Sequence, residues 1–160
     1  MNTLNEAIRE IQDYSERRMR TAIEELPDGT YSFAHVLDDD GQGNEDVRIH
    51  STVSADGDPI VVDFDGTDPQ IDGPINTVFT VTASATYYAI RCLTDPDIPP
   101  NVGCYRPIDI DAPSGTVVNA SPPAAVVGGT WKSHSGLLTS SSVPSKKLFL
   151  TVLQRYIKEQ

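Results

Sequence analysis

The 160-residue chain lacks the features that mark several classes of protein. It has no apolar run of about 18 residues, so no transmembrane helix is expected. Residues 1–6 contain no basic stretch leading into an apolar one, which argues against a secretory signal and predicts a cytoplasmic location. Only two cysteines are present, Cys92 and Cys104, and in a reducing compartment we expect them to be buried free thiols.

Basic residues are scarce, and their distribution along the chain is uneven. The net charge is −11, so a nucleic-acid partner is not expected, because no basic patch is available to neutralise phosphates. Residues 1–129 hold 22 acidic residues, seven arginines and no lysine, whereas residues 130–160 hold four lysines, one arginine and one acidic residue. This change in composition predicts a boundary near residue 130.

The lack of lysine in an aspartate-rich segment is typical of proteins adapted to high salt. Hydrated surface carboxylates stay soluble there, and salt screens their mutual repulsion. We therefore expect residues 1–129 to stay folded in about 2 M KCl. A measured loss of folding in that buffer, compared with dilute buffer, would contradict the hypothesis that the protein comes from a proteome adapted to high salt.

The hydrophobic pattern predicts a helix at the N-terminus. Its apolar positions recur at three- and four-residue steps, the spacing of one helix face. Residues 27–29, Pro-Asp-Gly, end the helix because proline cannot continue the hydrogen-bond ladder. The residues that form this apolar stripe are Leu4, Ile8, Ile11, Ser15, Met19, Ala22 or Ile23, and Leu26.

Three strands are predicted next, at residues 30–37, 46–53 and 59–64. In the second, every other residue from Val47 to Val53 lies on one face. Residues 54–58 have the composition of a hairpin turn. The three strands are therefore expected to form an antiparallel meander.

Residues 76–93 admit two interpretations. The β-branched and aromatic residues at 78–82 favour a strand, but the run is long for a strand, and its spacing fits a helical stripe of Phe79, Ala83, Tyr87, Ile90 and Leu93. We predict a helix with Asn76 as its N-cap, a contribution of about 1 kcal/mol. Residues 97–129, rich in proline and glycine, are expected to hold short strands at 105–110 and 116–119. The fold class is thus α+β.

No metal site is predicted. The acidic turn at 38–43 has the start of a calcium-loop pattern, but an EF-hand needs a glutamate at the twelfth position, where this chain has Ile49. The three histidines, His35, His50 and His134, show no zinc-ligand spacing.

Two clusters of polar residues in glycine- and proline-rich loops remain as candidate sites. One consists of Asp63, Asp65, Gln70 and Asn76; the other consists of Asn101, Gly103 and Arg106. Loops of fixed backbone shape often carry binding residues. Asp, Asn and Gln side chains also brace turns through hydrogen bonds of their own. Both interpretations stay open for each cluster.

The same loops carry a family likeness. Residues 63–70 read Asp-Phe-Asp-Gly-Thr-Asp-Pro-Gln, residues 73–76 read Gly-Pro-Ile-Asn, and residues 101–108 read Asn-Val-Gly-Cys-Tyr-Arg-Pro-Ile. In order and spacing these stretches resemble the hydantoinase B/5-oxoprolinase family. The resemblance covers roughly residues 3 to 129, with further matching stretches at 14–20, 26–31, 112–116 and 122–126.

The resemblance implies that the chain is an internal piece of a large subunit that works with a hydantoinase A-type, ATP-using partner. The family includes N-methylhydantoinases, 5-oxoprolinases, and acetone and acetophenone carboxylases, so the implied substrate is a small cyclic amide or ketone. The partner phosphorylates an amide or enol oxygen, and the B-type subunit completes the hydrolysis or carboxylation. ATP and a divalent metal would belong to the full assembly. The family's metal ligands lie in a more N-terminal region, so none is carried over to this chain.

Two roles follow from the resemblance. In the first, the chain is a piece of an enzyme, inactive alone, in which Arg106 contacts an anionic group and Asp65, Gln70, Asn76 and Asn101 orient polar groups or fix loops. Arg106 is favoured because a guanidinium offers paired donors to carboxylate or phosphate. In the second, the chain is a non-catalytic module that contacts the ATP-using partner.

Residues 130–160 depart from the family pattern. The family continues with a sequence like Asn-Val-Glu, whose codons, shifted by one base, encode the Thr-Trp-Lys found at 130–132. The same shift turns a later Asp-Val-Val-Leu into the Thr-Ser-Ser-Ser found at 139–142. We hypothesise a frameshift near codon 130; a genuinely divergent tail is the alternative. A partly disordered tail with a chance helix at 148–157 is expected.

Overall fold

The computed structural model describes residues 2–39, 43 and 45–126. The predicted tail at 130–160 and its helix at 148–157 lie outside the described residues, as does most of the turn at 40–44. Within them the chain forms three helices and four strands: α1 (Asn2–Glu24), β1 (Gly29–Asp39), β2 (Glu45–Ala55), β3 (Ile60–Asp63), α2 (Phe79–Leu93), α3 (Val102–Tyr105) and β4 (Ile108–Asp111). The α+β class, the N-terminal helix, the meander and the central helix are confirmed.

The four strands form one sheet in the order β1-β2-β3-β4. The β1–β2 and β2–β3 pairs are antiparallel, as the meander predicts. β4 adds to β3 in parallel, with Ile60 opposite Ile108. The strand order places β4 at an edge of the sheet. Its pairing with β3 brings the segment after α2 back beside the segment before it.

The predicted strands after α2 are partly wrong. A strand was expected at 105–110, but residues 102–105 form the short helix α3, and the strand begins at Ile108. Residues 116–119 form no strand; Thr116 makes only isolated bridges, to Pro69 and to Asn119. The proline-rich chain there pairs with a loop, so no continuous ladder forms.

The core lies between the sheet and the two long helices. Val47, Ile49, Ser51 and Val53 of β2 are all buried, which confirms that these alternate residues share one face of the strand. The helices contribute Met19 and Ile23 from α1 and Ala89 and Ile90 from α2. Cys104 is buried, but Cys92 is exposed, so the expectation of two buried thiols is wrong for Cys92 because it lies on the outer face of α2.

The apolar face of α1 is buried along only half of its length. Ser15, Met19 and Ile23 are fully buried, whereas Leu4 is 69% exposed and Ile11 is 55% exposed. The C-terminal half of α1 therefore joins the core, and the N-terminal half extends the same apolar stripe beyond it.

The central helix begins later than its sequence suggests. Its N-cap residue is Val78, which has no capping side chain, so the prediction of Asn76 as the N-cap is wrong. The buried face includes two threonines whose hydroxyls are satisfied: Thr82 Oγ1 donates to Val118 O at 2.6 Å and Thr86 Oγ1 donates to Thr82 O at 2.9 Å. Phe79, predicted to face inward, is 40% exposed.

Neither of the two long helices in the described part is apolar enough along its length to cross a bilayer.

Candidate functional site

The residues at 63–76, here the 63–76 loop, are attached to β2 at their start. Thr67 Oγ1 accepts a hydrogen bond from His50 N at 3.0 Å and donates to His50 O at 2.9 Å. Asp68 Oδ2 accepts from Arg48 N at 2.7 Å. These side chains saturate backbone groups along the edge of β2 where β3 ends, and they hold the loop against the sheet.

The side chain of Gln70 connects the 63–76 loop to the proline-rich segment. Its Oε1 accepts from Ser121 N at 2.7 Å, and its Nε2 donates to Ser121 O at 3.2 Å. The backbone adds a bond from Gln70 N to Gly115 O at 2.8 Å. The Gln70 carboxamide thus forms the two backbone hydrogen bonds that a neighbouring β-strand would otherwise form with Ser121.

Asn76 is fully buried, and its carboxamide is surrounded by backbone groups. Its Oδ1 accepts from Ile71 N at 2.9 Å. Its Nδ2 lies 2.8 Å from both Ile71 O and Gly73 O and 3.1 Å from Ala125 O. An amide nitrogen has two hydrogens, so these three acceptors exhaust its donors, and Asn76 braces the loop.

Asp63 and Asp65 close the first turn of the loop. Asp63 Oδ1 accepts from Asp65 N at 2.8 Å, and His50 Nδ1 donates to Asp65 O at 2.6 Å. The Asp65 residue is exposed to solvent. Of the four predicted residues in this loop, Asp65 is therefore the one that presents its side chain outward.

Residues 101–106, here the 101–106 loop, consist of α3 and its two capping residues, and they pack against α1. Asn101 Oδ1 caps α3 by accepting from Gly103 N at 2.8 Å, and Asn101 Nδ2 donates to Ser15 Oγ at 2.8 Å. A Cβ added at Gly103 would lie 1.9 Å from Gln12 O of the α1 backbone. Only glycine allows this approach, so the Asn-x-Gly pattern is a helix-docking device.

Arg106, the predicted anion contact, binds carboxylates of α1. Its Nη1 lies 2.8 Å from Asp13 Oδ1 and 2.7 Å from Glu16 Oε2. Glu16 also pairs with Arg20 at 2.8 Å. The 38% exposed side chain of Arg106 therefore lies at one end of a row of ion pairs along α1.

Glu16 lies between two arginines, Arg20 and Arg106, so its ionisation is expected to affect the docking of α1. Hydrogen bonds from Arg106 and Arg20 lower the pKa of Glu16. A lowered pKa contributes stability that is present above about pH 4.3, the usual glutamate value, and is lost as the pH falls through the folded-state pKa.

We accordingly expect the melting temperature of the native protein to fall more than that of Glu16→Gln between pH 7 and pH 3, because only the native protein has the ion pairs to lose. Thermal unfolding at both pH values measures the difference; parallel losses in the two proteins would show that Glu16 contributes no pH-dependent stability.

The structure keeps the two predicted clusters apart. The 63–76 loop binds β2 and the proline-rich segment, whereas the 101–106 loop binds α1. The edge of β3 links them, since Ile60 N donates to Pro107 O and Phe64 N to Asp111 O, each at 2.9 Å. No group of three or more His, Cys, Asp or Glu residues in the described ranges is arranged to hold a metal ion.

Sequence reasoning missed the partners of these loops. Ser15 and Ser121 each bond to a predicted residue, Asn101 and Gln70 respectively. One signal was available for Ser15, because a polar residue at a buried helix position requires a hydrogen-bond partner. Ser121 gave no comparable signal.

Comparison with known proteins shows what the chain resembles. A family model described as hydantoinase B/oxoprolinase matches residues 1–140. A protein of Pseudomonas sp. (strain NS671) that is named as the B-type component of a D-/L-hydantoinase is 40% identical over 138 residues, which are 79% of this chain and 23% of that protein.

Two solved structures share the fold. The crystal structure of the ATP-dependent caprolactamase from Pseudomonas jessenii matches with a TM-score of 0.80 and 28% identity, over 99% of this chain and 26% of that one. The nucleotide-free acetone carboxylase matches with a TM-score of 0.63 and 14% identity, over 91% and 21% of the two chains. The chain therefore spans about a quarter of the length of these relatives.

Proposed function

The chain belongs to the hydantoinase B/oxoprolinase family, and on that premise we propose that it forms part of the B-type subunit of an ATP-dependent enzyme that hydrolyses a small cyclic amide. Two names support this class: a hydantoinase component and an ATP-dependent caprolactamase. Hydantoin and caprolactam are both cyclic amides. A ketone-carboxylating enzyme is the weaker alternative, because the likeness to acetone carboxylase, at 14% identity, concerns the fold alone.

The observation that carries the proposal is the bracing of both loops by side chains of the family-like stretches. Gln70 and Asn76 bond to backbone groups that lie 49 to 51 residues away, at Ser121 and Ala125. Asn101 and Gly103 dock α3 on α1. These residues are needed to build one shared backbone, and the family model matches the chain across all of them.

In this proposal an A-type subunit uses ATP to activate the amide, and a divalent metal, where one is used, is held by residues outside this chain. Asp65 and Arg106 are the candidates for substrate contact because their side chains reach solvent. Gln70, Asn76 and Asn101 fix the loops. The chain alone is expected to show no turnover.

A segment swap tests the proposal. Residues 1–126 of this chain would replace the matching segment of the caprolactamase or of the Pseudomonas hydantoinase, each assayed with its ATP-using partner for ATP-dependent ring opening. We expect activity in at least one carrier. Gly103→Ala in the swapped segment is the matched control and should abolish it. The proposal is contradicted if the segment-swap proteins in both carriers fold and bind their partner but show no turnover.

One observation favours a second role, that of a non-catalytic module within the assembly. Arg106 already binds two carboxylates of its own chain, and the carboxamides of Gln70 and Asn76 are occupied by backbone groups. A part of the chain with so few unoccupied polar groups fits a role in shaping the subunit or in contacting its partner.

Arg106→Ala in an active swap distinguishes the two roles. If Arg106 contacts an anionic substrate group, the variant should raise KM or abolish turnover, because a bidentate donor is removed. Arg20→Ala is the control, since Arg20 belongs to the same row of ion pairs. If KM and turnover of Arg106→Ala equal those of the Arg20→Ala control, Arg106 does not contact the substrate, and the chain is assigned the role of a non-catalytic module.

We further propose that residues 130–160 arise from a frameshift near codon 130. The lysine-rich composition of this segment supports the idea, although the family match runs to residue 140. Sequencing the gene tests it: the shifted frame should encode a family-like continuation, and a shifted frame without one means that the tail is a genuine divergence.

A further inference from the structure

The N-terminal half of α1 exposes apolar side chains in a row. Leu4 is 69% exposed, Ile8 45% and Ile11 55%. At 3.6 residues per turn these three side chains lie within about 60° of one another and span about 10 Å of the helix. We call this row the apolar end of α1.

The apolar end continues the buried face of the same helix. Ser15 and Met19, one and two turns further along the stripe, are fully buried against the rest of the fold. The charged residues of the N-terminal half, among them Glu6 and Arg9, lie off this stripe by the same periodicity. A stripe that is buried at one end and exposed at the other predicts a covering element at the exposed end.

We infer that the apolar end of α1 is a contact surface, here called the seam, on which the remaining part of a B-type subunit packs. This inference rests on the proposed function. The chain superposes on 26% of the caprolactamase chain, so about three quarters of such a subunit lies outside the matched unit and is available to cover part of it. Contiguous exposed apolar faces mark interaction sites, and contacts between the parts of one chain resemble interfaces between proteins.

The size of the apolar end favours a segment of the same subunit over a second copy of this chain. Three aliphatic side chains offer at most a few hundred Å², well below the roughly 800 Å² per partner of a standard interface between separate molecules. A covering segment that is part of the same polypeptide has a high effective concentration, so a small face is sufficient.

Thiol labelling tests the inference. Ile8→Cys and, about 100° around the helix and off the apolar row, Arg9→Cys would each be placed in a Cys92→Ser background, because Cys92 is exposed. In the 160-residue chain both new thiols should react fast. In the segment-swap protein the thiol at position 8 should react at least about tenfold more slowly, while that at position 9 keeps its rate, because labelling follows exposure.

The outcomes separate the docking inference from the proposed function. If the thiol at position 8 reacts at equal rates in the 160-residue chain and in an active segment-swap protein, the seam inference is wrong and the proposed function is unaffected. If the segment-swap protein folds and its thiol at position 8 reacts slowly, but it shows no turnover, the seam inference is supported and the proposed function is contradicted. Slow labelling in the isolated chain, together with a dimer in light scattering, assigns the face to a second copy and overturns the inference.

Discussion

Gly103→Ala is expected to lower the free energy of unfolding by about 3 kcal/mol. The added Cβ would lie 1.9 Å from Gln12 O and 2.6 Å from its carbonyl carbon. Both are backbone atoms of α1, so no side chain can move aside, and α3 has to withdraw from the helix. The bond between Asn101 and Ser15 would be strained as well. Denaturant unfolding followed by circular dichroism measures the loss.

Val102→Ala is the matched control for this variant. Val102 is adjacent in sequence and 65% exposed, so we expect a change below about 0.5 kcal/mol. A Gly103→Ala protein as stable as the Val102→Ala protein would show that α3 does not approach α1 as closely as described.

Asn76→Ala should destabilise the protein by a similar amount, about 3 kcal/mol, because it strips partners from several buried backbone groups at once. Ile71 N loses its acceptor, and the carbonyls of Ile71, Gly73 and Ala125 lose a donor. Asn76 itself is 0% exposed, so water replaces these bonds only if the loop opens. The same denaturant titration applies.

Two further variants sharpen this prediction. Asn76→Asp keeps the acceptor for Ile71 N but directs a carboxylate at three carbonyl oxygens, so it should be at least as unstable as the alanine variant at neutral pH. Asp72→Asn, at an exposed neighbouring position, should be nearly neutral. If Asn76→Ala stays within about 0.5 kcal/mol of the native protein, Asn76 does not brace the loop.

The periodic elements were predictable because their signals are local. Three- and four-residue spacing identified α1, alternation identified β2, and the length of the run identified α2, against the strand propensity of its first residues. A strand that overlaps β4 was predicted at 105–110, but its parallel pairing was not predictable, because its partner β3 lies 48 residues earlier. Nothing in the sequence around Ile108 encodes that pairing.

The positions of the two loops were predictable, but the roles of their residues depend on distant partners. Asn76 has the composition of an N-cap, yet its carboxamide is used by Ile71, Gly73 and Ala125, and α2 begins at Phe79 instead. Arg106 has the chemistry of an anion contact, and the anions beside it come from α1, 90 and 93 residues away. Tertiary contacts decide such roles.

Native-state hydrogen exchange of the amides of Ile71, Gly103 and Ser121 tests the bracing of the two loops most directly. Each of these amides donates to a side chain, that of Asn76, Asn101 and Gln70 respectively. We predict that all three are protected to the same extent as the amides in the middle of β2, because they open only with the core. Exchange at the rate of an unstructured loop while β2 stays protected would contradict the shared, braced backbone.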